Sequence, residues 1–408
     1  MNCRGCGTPL TLSLIDLGTS PPSNAYLRAE QLEQSEQWVP LKVQVCQECW
    51  LVQTEDYTRA DSLFDADYAY FSSYSSTWLA HAERYVAEMV ERFGLTTDSR
   101  VVEIAANDGY LLQYVAKRGI ACLGVEPTHS TAQAAREKGL EIRELFFGRE
   151  TALHLLEEGW AADLMAANNV LAHVPDINDF LSGFATLLKS TGVATFEFPH
   201  LLTLMAGAQF DTLYHEHYSY LSLTAVQRLC ERNGLEVFDV SELPTHGGSL
   251  RVFVQRADGV RRALQPAVQH VLDVELISGV KTPGFYATLA PAAERIKHEL
   301  LRFLLQAKAE GKRVVGYGAA AKGNTLLNYA GVKPDLLAWV ADANPHKHGK
   351  FLPGSRIPVV SPDHIEKEKP DYVLVLPWNL LDEITQQYAC VSTWGGRFVV
   401  AVPELSYR

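Results

Sequence analysis

The sequence contains no run of about 18 apolar residues, the length a membrane-spanning helix needs, and its first residues lack a basic-then-apolar secretion pattern. Both absences lead us to expect a cytoplasmic chain with no membrane partner. Positive charge is also scarce: 36 Lys and Arg stand against 48 Asp and Glu, for a formal net charge of −12. A general nucleic-acid binder needs basic surface to neutralise phosphates, so that class is excluded. The charge still leaves room for a small anionic ligand held by a few local cations. Internal repeats and low-complexity tracts are missing as well. What remains is a globular composition, 47% hydrophobic and 21% charged, in 408 residues, more than one ordinary domain holds.

Cysteine is sparse, and its seven copies fall into two groups. Cys122, Cys230 and Cys390 are isolated in apolar or helical surroundings and read as small buried hydrophobes. Cys3 and Cys6, then Cys46 and Cys49, form two Cys-x-x-Cys pairs. Each pair can set two thiolates on one side of a tight turn, and four thiolates complete a tetrahedral zinc shell. A cytosolic setting disfavours disulfides. Neither motif opens a clear helix, as a thioredoxin-like redox site would. Four thiolates leave no open coordination position, so the zinc is expected to be structural. On this reading the metal governs how residues 1–70 fold and not what the protein does.

Beyond a helical stretch at 76–93, "RVVEIAANDGYLLQYVAKRG" reads as a strand at 101–104, a turn and a helix from Leu111. "ACLGVEP" is a second strand closing on Glu126. "ADLMAANNVLAHV" and "GVATFEFPH" are strand-like runs separated by the helix "INDFLSGFATLL", and "LEVFDVSEL" and "SLRVFVQ" form a hairpin-like pair. The alternation predicts an α/β fold with a doubly wound parallel sheet, and ligands on such sheets bind beyond the strands' carboxyl ends. An acid at the end of the second strand suits ribose hydroxyls. The first turn, however, lacks the G-x-G-x-x-G glycines that admit a pyrophosphate. Glu103, Ala105, Asn107, Asp108 and Gly109 stand there instead, and the acids would repel one. Acidic and amide groups suit a cationic, amino-acid-bearing ligand with an adenosine tail, as in S-adenosylmethionine, with Glu126 on the ribose and Asn168 and Asn169 at the methionine end.

Just past the strand ending at Pro199 lies "YHEHYSYLS", with six proton-handling groups between Tyr214 and Tyr220. On the ligand-binding rim of the sheet, such a cluster suits proton transfer. His217 is the expected base, because imidazole accepts a proton near neutral pH. Glu216 either orients it or is itself the base if burial raises its pKa. Tyr214 is the expected donor to a substrate oxygen. His215 is read as structural.

These motifs, with "YAYFSSYSSTW", "HGGSLRV" and "GYGAAAKGNTLLN", resemble the S-adenosylmethionine-dependent C-methyltransferases that act on nucleotide-linked 4-keto deoxysugars, and the resemblance covers nearly the whole chain. It implies a zinc-binding N-terminal domain (1–70), a methyltransferase core (71–258) and a C-terminal Rossmann-like domain (259–408), with the sugar nucleotide between the last two. It further implies that Tyr68 and His173 line the sugar, and that the chain deprotonates a 4-keto-6-deoxysugar at C3 and methylates the enolate. Thymidine diphosphate is the expected handle, with guanosine diphosphate as the alternative, and a monomer is expected.

The C-terminal strands "KRVVGYG", "LLAWVAD", "DYVLVLPW" and "RFVVAVP" carry a rival. Gly316, Gly318 and Ala321 fit G-x-G-x-x-A and Asp342 ends the next strand, the pattern of an NAD(P)-dependent oxidoreductase. Lys322 and Asn324 at the helix start suit instead a sugar nucleotide's diphosphate. His246, Ser249 and Arg251, in and after the hairpin turn, are read as closing over the substrate, although the turn glycines also suit backbone geometry alone. A third reading, a binding protein using the zinc knot for contacts, leaves the middle cleft unexplained.

Overall fold

The computed structural model describes residues 1–55 and 71–408. β1 (Leu12–Ser20), β2 (Val39–Val45) and β3 (Val52–Thr54) make an antiparallel meander. β2 alternates strictly between buried and half-buried residues, the period of two that turns one strand face to a core.

The central sheet begins with β4 (Arg100–Ile104), β5 (Ala121–Val125), β6 (Ile142–Arg143), β7 (Ala162–Asn168) and β8 (Leu188–Pro199), all parallel. Helices cover both faces, so β4 and β7 are buried almost end to end. β9 (Ser219–Tyr220) leaves this unit and pairs with β3. β10 (Leu235–Leu243) and β11 (Ser249–Arg256) form the expected hairpin, and β11 inserts antiparallel between β8 and β10. The sheet order is β10-β11-β8-β7-β4-β5-β6. Chain order reverses at β4, which opens a crevice at its carboxyl end.

Helix Ser76–Phe93 lies on this sheet. The Ser75 hydroxyl caps it by accepting from the Trp78 amide, Gly94 (φ 62°) ends it, and its buried face carries His81, Ala82, Tyr85, Val86 and Met89. Helix Pro266–Ile277 also packs against the central unit, through Val268 and Val271.

A second, mostly parallel sheet follows: β12 (Val314–Tyr317), β13 (Val340–Ala341), β14 (Val359–Val360), β15 (Tyr372–Val375), β16 (Arg397–Val400) and β17 (Ser406–Tyr407), in the order β14-β13-β12-β15-β16-β17. Helix Leu289–Ala309 buries Leu289, Ala293, Ile296, Leu300, Phe303, Leu304 and Ala307 at three- and four-residue spacing. These side chains share one core with Leu14 and Leu41 of the meander and Leu326 and Leu374 of the last unit. The N-terminal meander is therefore built into the rest of the molecule, not appended to it.

Candidate active site

The turns that follow β4 and β7 carry unusual backbone. Ala105 (φ 54°), Asn107 (φ 49°) and Asn169 (φ 57°) all adopt left-handed conformations, which cost energy in residues other than glycine and gather at functional sites. Glu126 fixes the turn: its carboxylate accepts from the Asn107 amide at 2.9 Å and the Thr128 amide at 3.0 Å. Gly109 (φ 75°) is required for close packing, because a Cβ there would lie 2.2 Å from Leu140 Cδ1.

The polar atoms of this rim are short of partners. Neither Glu103 oxygen has a well-formed hydrogen bond, and neither amide atom of the Asn168 side chain has one. Burial, with Asp108 and Glu126 nearby, pushes the Glu103 carboxyl well above its usual range, and the Tyr110 side chain offsets this only partly. A cluster of buried acids without an equal number of cations suits a ligand bearing ammonium and sulfonium charge. The donor set thus fits S-adenosylmethionine.

The "YHEHY" segment folds beside this rim. The Tyr214 hydroxyl lies 2.7 Å from His217 Nε2, with ring centroids 4.0 Å apart. Edge-on to His217, at 4.5 Å, stands the ring of His173. His173 Nδ1 donates to the Glu216 carbonyl at 2.7 Å, so the two histidine-bearing loops are tied together. Burial lowers the pKa of His217 well below the usual imidazole value, and the neighbouring His173, His246 and Lys322 reinforce this. His173 is lowered to about 4 by burial. Both rings are therefore neutral at physiological pH. The Thr212 backbone acts the other way and favours the protonated ring, but does not outweigh burial.

Glu216 is buried, with one oxygen accepting from the Asn24 amide at 3.1 Å and its side chain at 3.3 Å, while the other has no partner. Burial raises its pKa. His215 faces the Pro40 carbonyl at 3.2 Å, in keeping with the structural role read for it. Tyr68 lies outside the described residues.

The wall opposite comes from the last unit. Lys322 Nζ donates to Asn379 at 2.7 Å and sits 4.5 Å above the Trp378 ring. Burial lowers its pKa, and Asp211 opposes that effect. Trp378 in turn donates to the fully buried Asp211 at 2.8 Å. His246 (φ 54°) stands between the two walls, 3.2 Å from the Asn169 amide nitrogen and edge-on to Trp78 at 5.1 Å. A Cβ on the adjoining Gly247 would lie 2.6 Å from Trp378, so the glycine is what lets the hairpin turn meet this wall.

Three residues expected to hold substrate are engaged elsewhere. Arg251, 3% exposed, spends its guanidinium on Glu197 and Glu88, at 2.7 Å each, and lies under helix Ser76–Phe93. It is a strut behind the cleft, because its place on β11 points it at the sheet's covered face. Ser249 donates to Thr245 within its own turn. Asn324 donates to the Ser23 carbonyl at 2.6 Å. The G-x-G-x-x-A turn is filled too. A Cβ on Gly318 would lie 2.3 Å from Pro377, and one on Gly316 2.7 Å from Val340. Asp342 accepts from the Ala319 and Asn344 amides and faces Lys347 at 3.6 Å. These glycines and this acid serve internal contacts where a dinucleotide site would leave them for pyrophosphate and ribose. Asn24, Asp211 and Trp378 escaped sequence reasoning, since none belongs to a recognisable motif.

Cys3, Cys6, Cys46 and Cys49 bring their sulfurs within 4.8 Å of one another. Sγ–Sγ separations of 3.5 Å for Cys3–Cys49 and 3.4 Å for Cys6–Cys46 are too long for disulfides. They approach the roughly 3.8 Å edge of a tetrahedron of thiolates about 2.3 Å from a zinc ion.

Comparison with known proteins agrees. Residues 3–64 match a family model for a zinc binding domain, 78–240 one for a methyltransferase domain, and 244–403 one for a C-methyltransferase C-terminal domain. The chain is similar to the C-methyltransferase NovU of Streptomyces niveus, with 35% identity over 402 residues, 98% of this chain and 95% of that one. A shorter similarity, 27% over 94 residues, covers 23% of this chain and 37% of a ubiquinone biosynthesis O-methyltransferase of Rhodopseudomonas palustris (strain BisA53). Among solved structures, a magnesium protoporphyrin IX methyltransferase from Synechocystis PCC 6803 aligns over 44% of this chain and 79% of that one, at 15% identity and a TM-score of 0.34.

Proposed function

The chain belongs to the C-methyltransferase family, and from that premise we propose that it methylates C3 of a nucleotide-linked 4-keto-6-deoxysugar through an enolate, as a step of deoxysugar biosynthesis. S-adenosylmethionine, when bound at the β4 rim, supplies an electrophilic methyl group. The observation that carries the reading is the 2.7 Å contact between Tyr214 and His217, made where burial keeps the imidazole neutral.

Carbon becomes nucleophilic when a ketone loses the proton beside its carbonyl, which takes a base and a donor for the developing oxyanion. His217 Nε2 takes that proton. Tyr214 shares this nitrogen in the free protein and turns to donate to the 4-keto oxygen when the sugar enters. His173 backs the His217 ring. Glu216, held by Asn24, keeps the loop in place and is the alternative base. From the opposite wall Lys322 offers a half-buried cation suited to a diphosphate, and His246 stands between the rim and that wall. We assign thymidine diphosphate as the handle, with guanosine diphosphate as the alternative, and a monomer working in the cytoplasm.

Incubation with S-adenosylmethionine and either thymidine- or guanosine-linked 4-keto-6-deoxysugar, followed by mass spectrometry, tests this directly. A product heavier by one CH2 supports the proposal and identifies the nucleotide. No gain with either sugar refutes it. NADH titration followed by absorbance should show no binding.

A further inference from the structure

The zinc knot and the histidine loops meet through one side chain. Arg4 lies between the ligands Cys3 and Cys6, yet its guanidinium points out of the knot. Nη2 donates to the Thr54 carbonyl at 2.9 Å and Nη1 to the Pro175 carbonyl at 3.2 Å, and the group's flat face covers the Tyr218 ring at 5.2 Å. Pro175 lies two residues beyond His173, and Tyr218 directly follows His217. Arg4 therefore grips both loops whose imidazoles face each other at 4.5 Å.

The grip is braced at both ends. In the knot, the Arg4 amide donates to Gln53 Oε1 at 2.9 Å, and Gln53 Nε2 donates to Cys3 Sγ at 3.2 Å. Asn178 donates to the Arg4 carbonyl at 2.8 Å. On the loop side, Thr54 donates through its hydroxyl to the His217 carbonyl at 3.2 Å and through its amide to the Tyr218 carbonyl at 3.1 Å. β3 and β9 extend that pairing, Gln53 opposite Ser219 and Val52 opposite Tyr220. A chain of direct contacts thus runs from a metal-ligating sulfur to the backbone of His217 in three residues: Cys3, Gln53, Thr54.

We propose that Arg4 is a positioning residue for the His217–His173 pair, and that the zinc knot acts as the rigid mount of the proton-transfer loop. This rests on the reading of those histidines given above. It also revises the expectation that the metal concerns only the fold of the N-terminal segment. The guanidinium fork is specific to the task, because two carbonyls on different loops and one aromatic face are engaged at once. Lysine carries the same charge but offers a single point donor and no planar face.

Arg4→Lys in the full-length zinc-loaded protein is the test, with Arg4→Ala as a second variant. Four quantities are measured: zinc content, affinity for S-adenosylmethionine, the histidine ring signals by NMR of histidine-labelled protein, and deuterium uptake at the sugar carbon. His217→Asn and His173→Asn assign those ring signals. The expected result is zinc content and cofactor affinity equal to wild type, with displaced His217 and His173 signals and unmoved signals from distant histidines such as His129 and His154. Deuterium uptake at the sugar carbon should fall about a hundredfold, the scale of loss when a reacting group is misplaced by about 1 Å. Unmoved His217 and His173 signals in both variants would overturn the proposal. So would zinc loss whose repair by added zinc restores both signals, since Arg4 would then support only the metal. Failure of the wild type to exchange deuterium with the sugar would count against the proposed substrate alone, because the NMR comparison needs none.

Discussion

Replacing Asp211 with asparagine perturbs a group whose energetics can be worked from its surroundings. Asp211 is fully buried, accepts one hydrogen bond from Trp378, and leaves its other oxygen without a partner. Burial raises its pKa from the ordinary 3.8 to about 6, against the attraction of Lys322. At about 1.4 kcal/mol per pH unit, the ionised carboxylate is about 3 kcal/mol worse off in the folded chain than in the unfolded one. The folded pKa is the higher of the two, so the penalty is absent below pH 3.8, grows as pH rises, and is complete above about 6. Asparagine keeps the shape and an acceptor for Trp378 but carries no charge.

Urea denaturation of both proteins at pH 7.5 and pH 4.5 should therefore find Asp211→Asn favoured more at the higher pH, by about 2 kcal/mol, the part of the penalty that builds up between those values. That figure already contains the attraction to Lys322, which acts against burial in setting the pKa near 6. Because every other titrating group is common to both proteins, the difference isolates this carboxyl. A stability difference that does not change with pH, or one that favours the variant more at pH 4.5, would refute the assignment of a buried, underpartnered carboxylate.

Other outcomes follow from the same geometry. His217→Asn should abolish methyl transfer while calorimetry finds S-adenosylmethionine binding unchanged; an active variant would reject His217 as the base. Since burial holds both His217 and His173 below the usual imidazole range, their neutral forms persist as the medium is acidified. The acid limb of the kcat/KM profile should accordingly have its midpoint below pH 6.5, and a midpoint at or above that value would contradict the burial argument. Gly109→Ala should weaken cofactor binding and lower stability by about 1–3 kcal/mol, through a side chain forced into a left-handed backbone and against Leu140. Thermal melting and cofactor titration check both effects, and an unaffected protein would mean that the loop rearranges freely.

Much of this molecule was legible in one dimension. Most strands of the two larger sheets announced themselves as short apolar runs, because strands covered on both faces need no alternation, whereas the two-residue strands β6, β14 and β17 were too short to register. The four cysteines were legible because two thiolates on each tight turn are a local requirement of tetrahedral coordination. Tyr214, Glu216 and His217 stood out because one segment supplies all three. The meander strands were not foreseen, and neither was β9, whose partner β3 lies more than 160 residues back along the chain.

Local sequence sufficed for the fold class, the four clustered cysteines, the turn that follows β4 and the titratable groups of the "YHEHY" segment. Tertiary structure alone decided what surrounds them. Asn24 holds Glu216 across 192 positions, Trp378 holds Asp211 across 167, and Arg4 reaches Pro175 across 171. It also turned Arg251 away from the cleft and onto Glu197, and filled the G-x-G-x-x-A turn with protein atoms. Periodicity and spacing record what a residue requires of its near neighbours, whereas charge state, pocket lining and loop placement depend on which distant segments close over it and exclude water.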